Sequence, residues 1–77
     1  MDKIIAFLPE YTKVKISPTS YEVRFEGKKV GLILRCRHNK WAGFRVDPIK
    51  QVCSGVSSNQ DVYVKLVQRH MKNLSIQ

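Results

Sequence analysis

Between residues 21 and 46 apolar and polar side chains alternate with a period of two, and no other feature of the chain limits its fold as tightly. Tyr21, Val23 and Phe25 interleave with Glu22, Arg24 and Glu26, and such a period places successive side chains on opposite faces of a β-strand. Gly27-Lys28 supplies a two-residue primed turn with glycine first. In that register Phe25 faces Val30, Val23 faces Leu32 and Tyr21 faces Leu34. His38-Asn39-Lys40 makes the next turn, before a strand over residues 41–46. A three-residue loop there sets Cys36 opposite Ala42, Leu34 opposite Phe44 and Leu32 opposite Val46, whereas a two-residue loop would put Gly43 opposite Leu34 and turn Phe44 outward.

The sheet needs something to cover its apolar face, and the C-terminal third provides it. Ser57 with Gln60 and Ser58 with Asp61 form two overlapping capping boxes, and Tyr63, Leu66, Val67, His70, Met71 and Leu74 then recur at helical spacing. The spacing predicts an amphipathic helix over residues 58–74, packed on the face that carries Val23, Phe25, Leu32, Leu34 and Phe44. Between sheet and helix, Asp47-Pro48 is suited to start a helical turn that ends at Gly55, and a short strand over residues 50–53 competes with it. Ahead of the sheet, an apolar run and the alternating Val14 and Ile16 precede Ser17-Pro18-Thr19-Ser20, so residues 1–20 form an arm or an edge strand followed by a turn. A chain of 77 residues cannot fill two cores. The expected fold class is therefore α+β: a single domain over residues 1–77, with a three-stranded antiparallel sheet at 21–46, one C-terminal helix and an N-terminal arm or edge strand.

Residues 4–8 and 30–34 are the longest apolar stretches, far below the roughly 20 residues that cross a bilayer. The first of them is also too short for a secretory core region, so the expected location is cytoplasmic. In that compartment Cys36 and Cys53 are expected as reduced thiols that pack as small apolar groups. No membrane partner is expected, because the helix is required for the core and carries too few cations for a polybasic anchor.

Fourteen Lys and Arg stand against six Asp and Glu, a net charge of +8, and such an excess seeks polyanions. Residues 27–46 hold Lys28, Lys29, Arg35, Arg37, Lys40 and Arg45 with no acid among them. With the apolar set inward, the second face of the sheet carries Glu22, Arg24, Glu26, Gly31, Ile33, Arg35, Arg37, Trp41, Gly43 and Arg45. An exposed indole beside three guanidinium forks suits a nucleic-acid surface, since the forks meet phosphates or guanine edges and the ring stacks or packs on sugar. Gly31 and Gly43 have no side chain to hold a partner's backbone away. The candidate nucleic-acid-binding residues are Arg35, Arg37, Trp41 and Arg45, with Lys28, Lys29, Lys40 and Arg24 around them. The competing account pairs Glu22 and Glu26 with Arg24, Arg35 or Lys29 across the sheet, and packs Trp41 on arginine stems or on the arm. Lys65, Arg69 and Lys72 lie beside or opposite the apolar stripe of the helix, as a solvated face.

The string GLILRCRHNKWAGFRVDP at residues 31–48 resembles the first two strands of the plant ethylene-response-factor type of DNA-binding domain. The matching positions are Gly31, Arg35, Lys40, Trp41, Ala42, Arg45, Asp47 and Pro48. The resemblance implies a three-stranded sheet lying in the major groove with a helix behind it, a layout related to that of phage integrase arm-binding domains. It implies contacts from Arg35, Arg37, Trp41 and Arg45. The chain departs from that pattern after Asp47-Pro48, where residues 51–56 read QVCSGV in place of the family's Leu-Gly-aromatic ending.

Cys36, His38, Cys53 and His70 lack the paired spacings of structural zinc sites, so no metal is expected. No glycine-rich phosphate loop occurs, and the acids form no general acid/base pair, so neither enzymatic activity nor a cofactor is expected. The expected function is that of a small, basic, non-catalytic regulatory protein that binds double-stranded DNA through an exposed sheet face, with RNA left open. The other class is a small phage-type or host regulatory protein that binds an acidic protein surface on a polymerase, nuclease or defence complex.

Overall fold

The computed structural model describes residues 10–46 and 48–76. Five strands, β1 Tyr11–Ser17, β2 Ser20–Phe25, β3 Lys28–Arg35, β4 Trp41–Arg45 and β5 Lys50–Val56, precede a single helix, α1 Asn59–Ile76. The strands form one antiparallel meander in the order β1-β2-β3-β4-β5. The α+β class holds, but the sheet has five strands where the sequence predicts three. The extra strands are the edges: Val14 and Ile16 belong to β1, and the competing strand at residues 50–53 extends to Val56 in place of the helical turn. Residues 1–9 of the expected arm lie outside the described residues, as does Asp47 of the expected cap.

The helix begins where its capping signal lies. The Ser58 hydroxyl accepts from the Gln60 amide at 3.1 Å, which occupies one of the otherwise orphaned first-turn donors, and the Ser58 carbonyl accepts the first intrahelical bond from the Val62 amide at 3.3 Å. Along α1, Val62 and Val67 are fully buried, with Tyr63 and Leu66 nearly so. On β3 and β4 the face they cover is the reverse of the one expected.

The reversal starts at the β2–β3 turn. Its two central residues are Glu26 and Gly27, with φ of 50° and 84°, the pair of positive values a type I′ turn requires. Gly27 is thus the second turn residue and not the first, and Phe25 pairs with Lys28. Val30 is then an extra residue between Lys29, opposite Arg24, and Gly31, opposite Val23. This bulge shifts β3 by one relative to the expected register, so Tyr21 pairs with Ile33 and not Leu34. Val23 and Phe25 still face inward, but their companions are Gly31 and Ile33, while Leu32, Leu34 and Phe44 take the other face.

Two glycines explain why α1 settles on that side. A Cβ at Gly43 would lie 2.6 Å from Val62 Cγ1 and 3.3 Å from Leu66 Cγ, and one at Gly31 would lie 3.2 Å from Leu66 Cδ1. Both positions are therefore floor for helix side chains, which reach the sheet only because nothing projects there. Val23 and Ile33, each 0% exposed, close the core around them.

Polar contacts tie the edge strand to the helix. Tyr11 is buried, its ring 4.7 Å from Phe25 and its hydroxyl hydrogen-bonded to His70 Nδ1 at 2.7 Å. The Lys13 ammonium donates to Asn59 Oδ1 at 2.8 Å and Gln60 Oε1 at 2.9 Å, over the rings of Tyr21 and Tyr63. Partial burial lowers the pKa of Lys13 and raises that of Tyr63. Among the described residues no helix is long and apolar enough to cross a membrane.

Candidate nucleic-acid interface

The β3–β4 connection gathers the densest group of predicted binding residues. Arg35 ends β3, Arg37–Asn39 forms a single 3-10 turn, and Lys40 leads into β4. His38 and Asn39 both take left-handed backbone, with φ of 60° and 57°, and Asn and His tolerate that region better than most side chains. The turn is closed by the Lys40 amide donating to Arg37 O at 3.2 Å and by the Cys36 amide donating to Lys40 O at 2.6 Å. The Arg35 guanidinium bonds the Asn39 side-chain oxygen, and the Arg35 amide donates to Thr19 O at 2.9 Å, which joins this tip to the β1–β2 turn. Arg35, Arg37, His38 and Lys40 are all exposed. None of the three stronger cations forms an ion pair with a described acid.

The loop comprises residues 37–39, one position earlier than expected, so the β3–β4 register slides by two: Leu34 pairs with Ala42, Leu32 with Phe44, Gly31 with Arg45. A slide of two preserves which side chains share a face. Leu32, Leu34, Ala42 and Phe44 therefore remain together, as do Gly31, Ile33, Arg35, Trp41, Gly43 and Arg45. Cys36, expected inward, is exposed at the end of the strand, and both cysteines are free thiols. Burial raises the Cys53 thiol above its ordinary value, against a backbone hydrogen bond at Gly43 and the charge of Lys65.

The second expected grouping, an open face around Trp41, is not formed. Trp41 lies on the helix side, half-buried, 5.8 Å from the Tyr21 ring and packed against the core. Gly31 and Gly43 are buried beneath α1. The glycines do admit a close neighbour, and that neighbour is the chain's own helix. Trp41 supports the base of the tip, as the cross-strand partner of Arg35 and Val56.

The remaining candidates divide between two other places. Arg24 and Lys29 share Glu22, at 2.9 Å and 3.9 Å; the competing account anticipated both pairs, of which the Arg24 pair lies within β2 and the Lys29 pair crosses from β3. Exposed or half-exposed pairs of this kind contribute little stability, and the single carboxylate offsets only one of the two charges. Lys28 and Arg45, with the Lys29 stem, lie at the opposite end of the sheet from the tip and meet Arg69 of α1 there. The sequence position of Arg69 predicts a solvated face. It stands three residues after Leu66 and next to His70, at the border of the apolar stripe, and that adjacency is the signal for its second environment. Among the described residues no three of His, Cys, Asp and Glu come together as a metal site would need. No protein-family model, no curated protein and no solved structure matches the chain.

Proposed function

We propose that the protein binds double-stranded DNA through the β3–β4 tip, with Arg35, Arg37 and Lys40 on phosphates or base edges and no chemical step. The observation that carries this reading is three exposed cations without an acid partner among the described residues, on a turn fixed by its own hydrogen bonds. A fixed tip loses little conformational freedom when it docks, and a two-stranded ribbon fits the width of the major groove. Trp41 holds the ribbon from the core side and makes no contact of its own. Arg24 and Lys29 contribute long-range attraction only, since Glu22 already pairs with them.

If the three cations of the tip each neutralise one phosphate, the log-log salt slope is about −2.7, and affinity falls about 40-fold between roughly 50 and 200 mM salt. Anisotropy of a labelled mixed-sequence duplex measures this. An Arg35→Ala/Arg37→Ala variant is expected to bind much more weakly and to lose about two units of slope. Both side chains are exposed, so its fold is expected to survive, and circular dichroism checks that. Absence of binding at the lower salt overturns the reading and directs the same tip to an acidic protein partner.

A further inference from the structure

At the end of the sheet opposite the tip, a cavity of about 320 Å³ opens between the start of β3, the end of β4, β5 and α1. Lys28, Lys29, Arg45 and Arg69 line it, and among the described residues no carboxylate does. Lys29 has Glu22 at 3.9 Å, but Glu22 is not part of the wall. Four like charges around one hollow repel each other. One of them is held in an unfavourable state: Arg45 Nε is buried and has no hydrogen-bond partner among the described residues. A buried donor on a charged group is costly to leave unmade, and native proteins seldom leave one without a reason.

The rest of the wall is consistent with a ligand that has one anionic end. Val30, Val52 and Leu66 supply an apolar side, and Asn73 a neutral amide. His70 also lines the cavity, and its Nδ1 is already engaged by the Tyr11 hydroxyl. We propose that this cavity binds a phosphate group, with Arg45 and Arg69 as the guanidinium donors and the lysines as point charges. Two guanidinium groups and two ammonium groups suit a dianion with several acceptor oxygens better than a single carboxylate. The volume lies at the lower end of small-molecule sites and exceeds that of bare phosphate. The ligand is therefore a phosphomonoester whose organic part rests on the valines and Leu66. The site is remote from the β3–β4 tip and does not depend on duplex binding.

Titration of the isotope-labelled full chain, followed by amide resonances and by the arginine Nε–Hε signals, tests this at fixed ionic strength in chloride. The probes are inorganic phosphate, uridine 5′-monophosphate and uridine. The expected result is saturable shifts of Arg45 Nε–Hε and of the Lys28, Val30 and Asn73 amides below about 5 mM nucleotide. Uridine alone is expected to cause none. Inorganic phosphate is expected to move the same signals at roughly tenfold higher concentration, since it leaves the apolar side unused. Equal saturation by both keeps the phosphate site and removes the organic part. Arg69→Gln is expected to weaken nucleotide binding about fivefold or more, and Arg45→Gln further. Should the Arg45 variant fail to fold, Arg69→Gln, at an exposed position, still decides. Arg35→Gln/Arg37→Gln is expected to leave nucleotide binding unchanged. No saturation by either phosphate probe, or shifts confined to residues 35–40, overturns the proposal.

Discussion

On the helix side of the sheet, positions 31 and 43 carry no side chain at all, and Val23 and Ile33 between and beside them are fully buried. On the other side, Leu32, Leu34 and Phe44 present much larger apolar groups, yet Leu32 and Phe44 are only half-buried and Leu34 is 38% exposed. Judged by hydrophobic bulk, α1 should cover the second face. It covers the first because a helix and a sheet pack by interlocking shapes, and the two glycines leave depressions into which Val62 and Leu66 fit. Bulk marks what gains from burial, whereas the absence of bulk marks where another element can come close.

The contrast is tested most severely at Leu66, which is 5% exposed and sits over both glycines. Leu66→Ala is expected to cost about 2 to 5 kcal/mol in chemical denaturation, because the cavity it leaves has a rigid sheet floor that cannot collapse into it. A loss below about 1 kcal/mol would mean that the helix does not lie across Gly31 and Gly43.

Gly43→Ala approaches the same contact from the sheet. The added methyl would meet Val62 Cγ1 at 2.6 Å and Cys53 Sγ at 3.1 Å, and a helical valine is restricted to nearly one rotamer, so it cannot rotate away. Overpacking of this kind costs about 1 to 3 kcal/mol, more than alanine's advantage over glycine in a strand. Adding Val62→Ala is expected to recover part of the loss, so the double variant falls short of the sum of the singles by about 1 kcal/mol. Strict additivity would separate the two residues and place Gly43 on the face opposite α1.

Much of this arrangement was legible. Ser58 announced the start of α1, Tyr63, Leu66, Val67 and His70 announced its buried stripe, and alternation sorted β3 and β4 into the correct two sets of side chains. What could not be read was which set faces inward, because that depended on one turn. Gly27 fits a primed turn either as its first or as its second residue, and the second option, with Val30 bulged, reverses β3 against β2. The edge strands were obscured differently. Gly55 takes a positive φ of 65° inside β5, and the β4–β5 register shifts twice, so alternation there is broken. The cations were visible as a group from the missing acids, but their separation into a tip and a cavity was not. It arises from topology: Gly31 pairs with Arg45, which brings β4 back to Lys28 and Lys29, while residues 35–40 turn at the far end.

His70 extends the comparison to pH, because it lies on the buried side. Burial holds its imidazole below the ordinary value of 6.5. Around it are the Tyr11 hydroxyl and the Phe25 ring, and the cavity it lines is ringed by cations. Between the ordinary and the lowered pKa the unfolded chain takes up a proton that the folded chain refuses, so stability is full above about 6.5 and falls as pH drops through that window. Denaturation midpoints at several pH values check this. His70→Gln is expected to lose the part of the slope that lies in the window, while retaining an acceptor for the Tyr11 hydroxyl. An unchanged slope would place the titrating group elsewhere.

The smallest effect is expected at Leu34, and its smallness is what makes it decisive. Leu34 and Ile33 are neighbours on β3, so any one-residue slip of the strand exchanges their environments. Ile33 is 0% exposed and faces α1; Leu34 is 38% exposed and pairs with Ala42 on the opposite face. In the register with a Gly27-Lys28 turn, Leu34 would instead belong to the core, and Leu34→Thr would remove most of a buried side chain and bury a hydroxyl, at a cost of several kcal/mol. With Val30 bulged, the same change trades a partly exposed leucine for a β-branched residue that suits a strand. It is expected to shift stability by no more than about 0.5 kcal/mol. A near-neutral Leu34→Thr in thermal and chemical denaturation thus fixes the bulge, the register and the face on which α1 lies, whereas a loss comparable to that of Leu66→Ala would reverse all three.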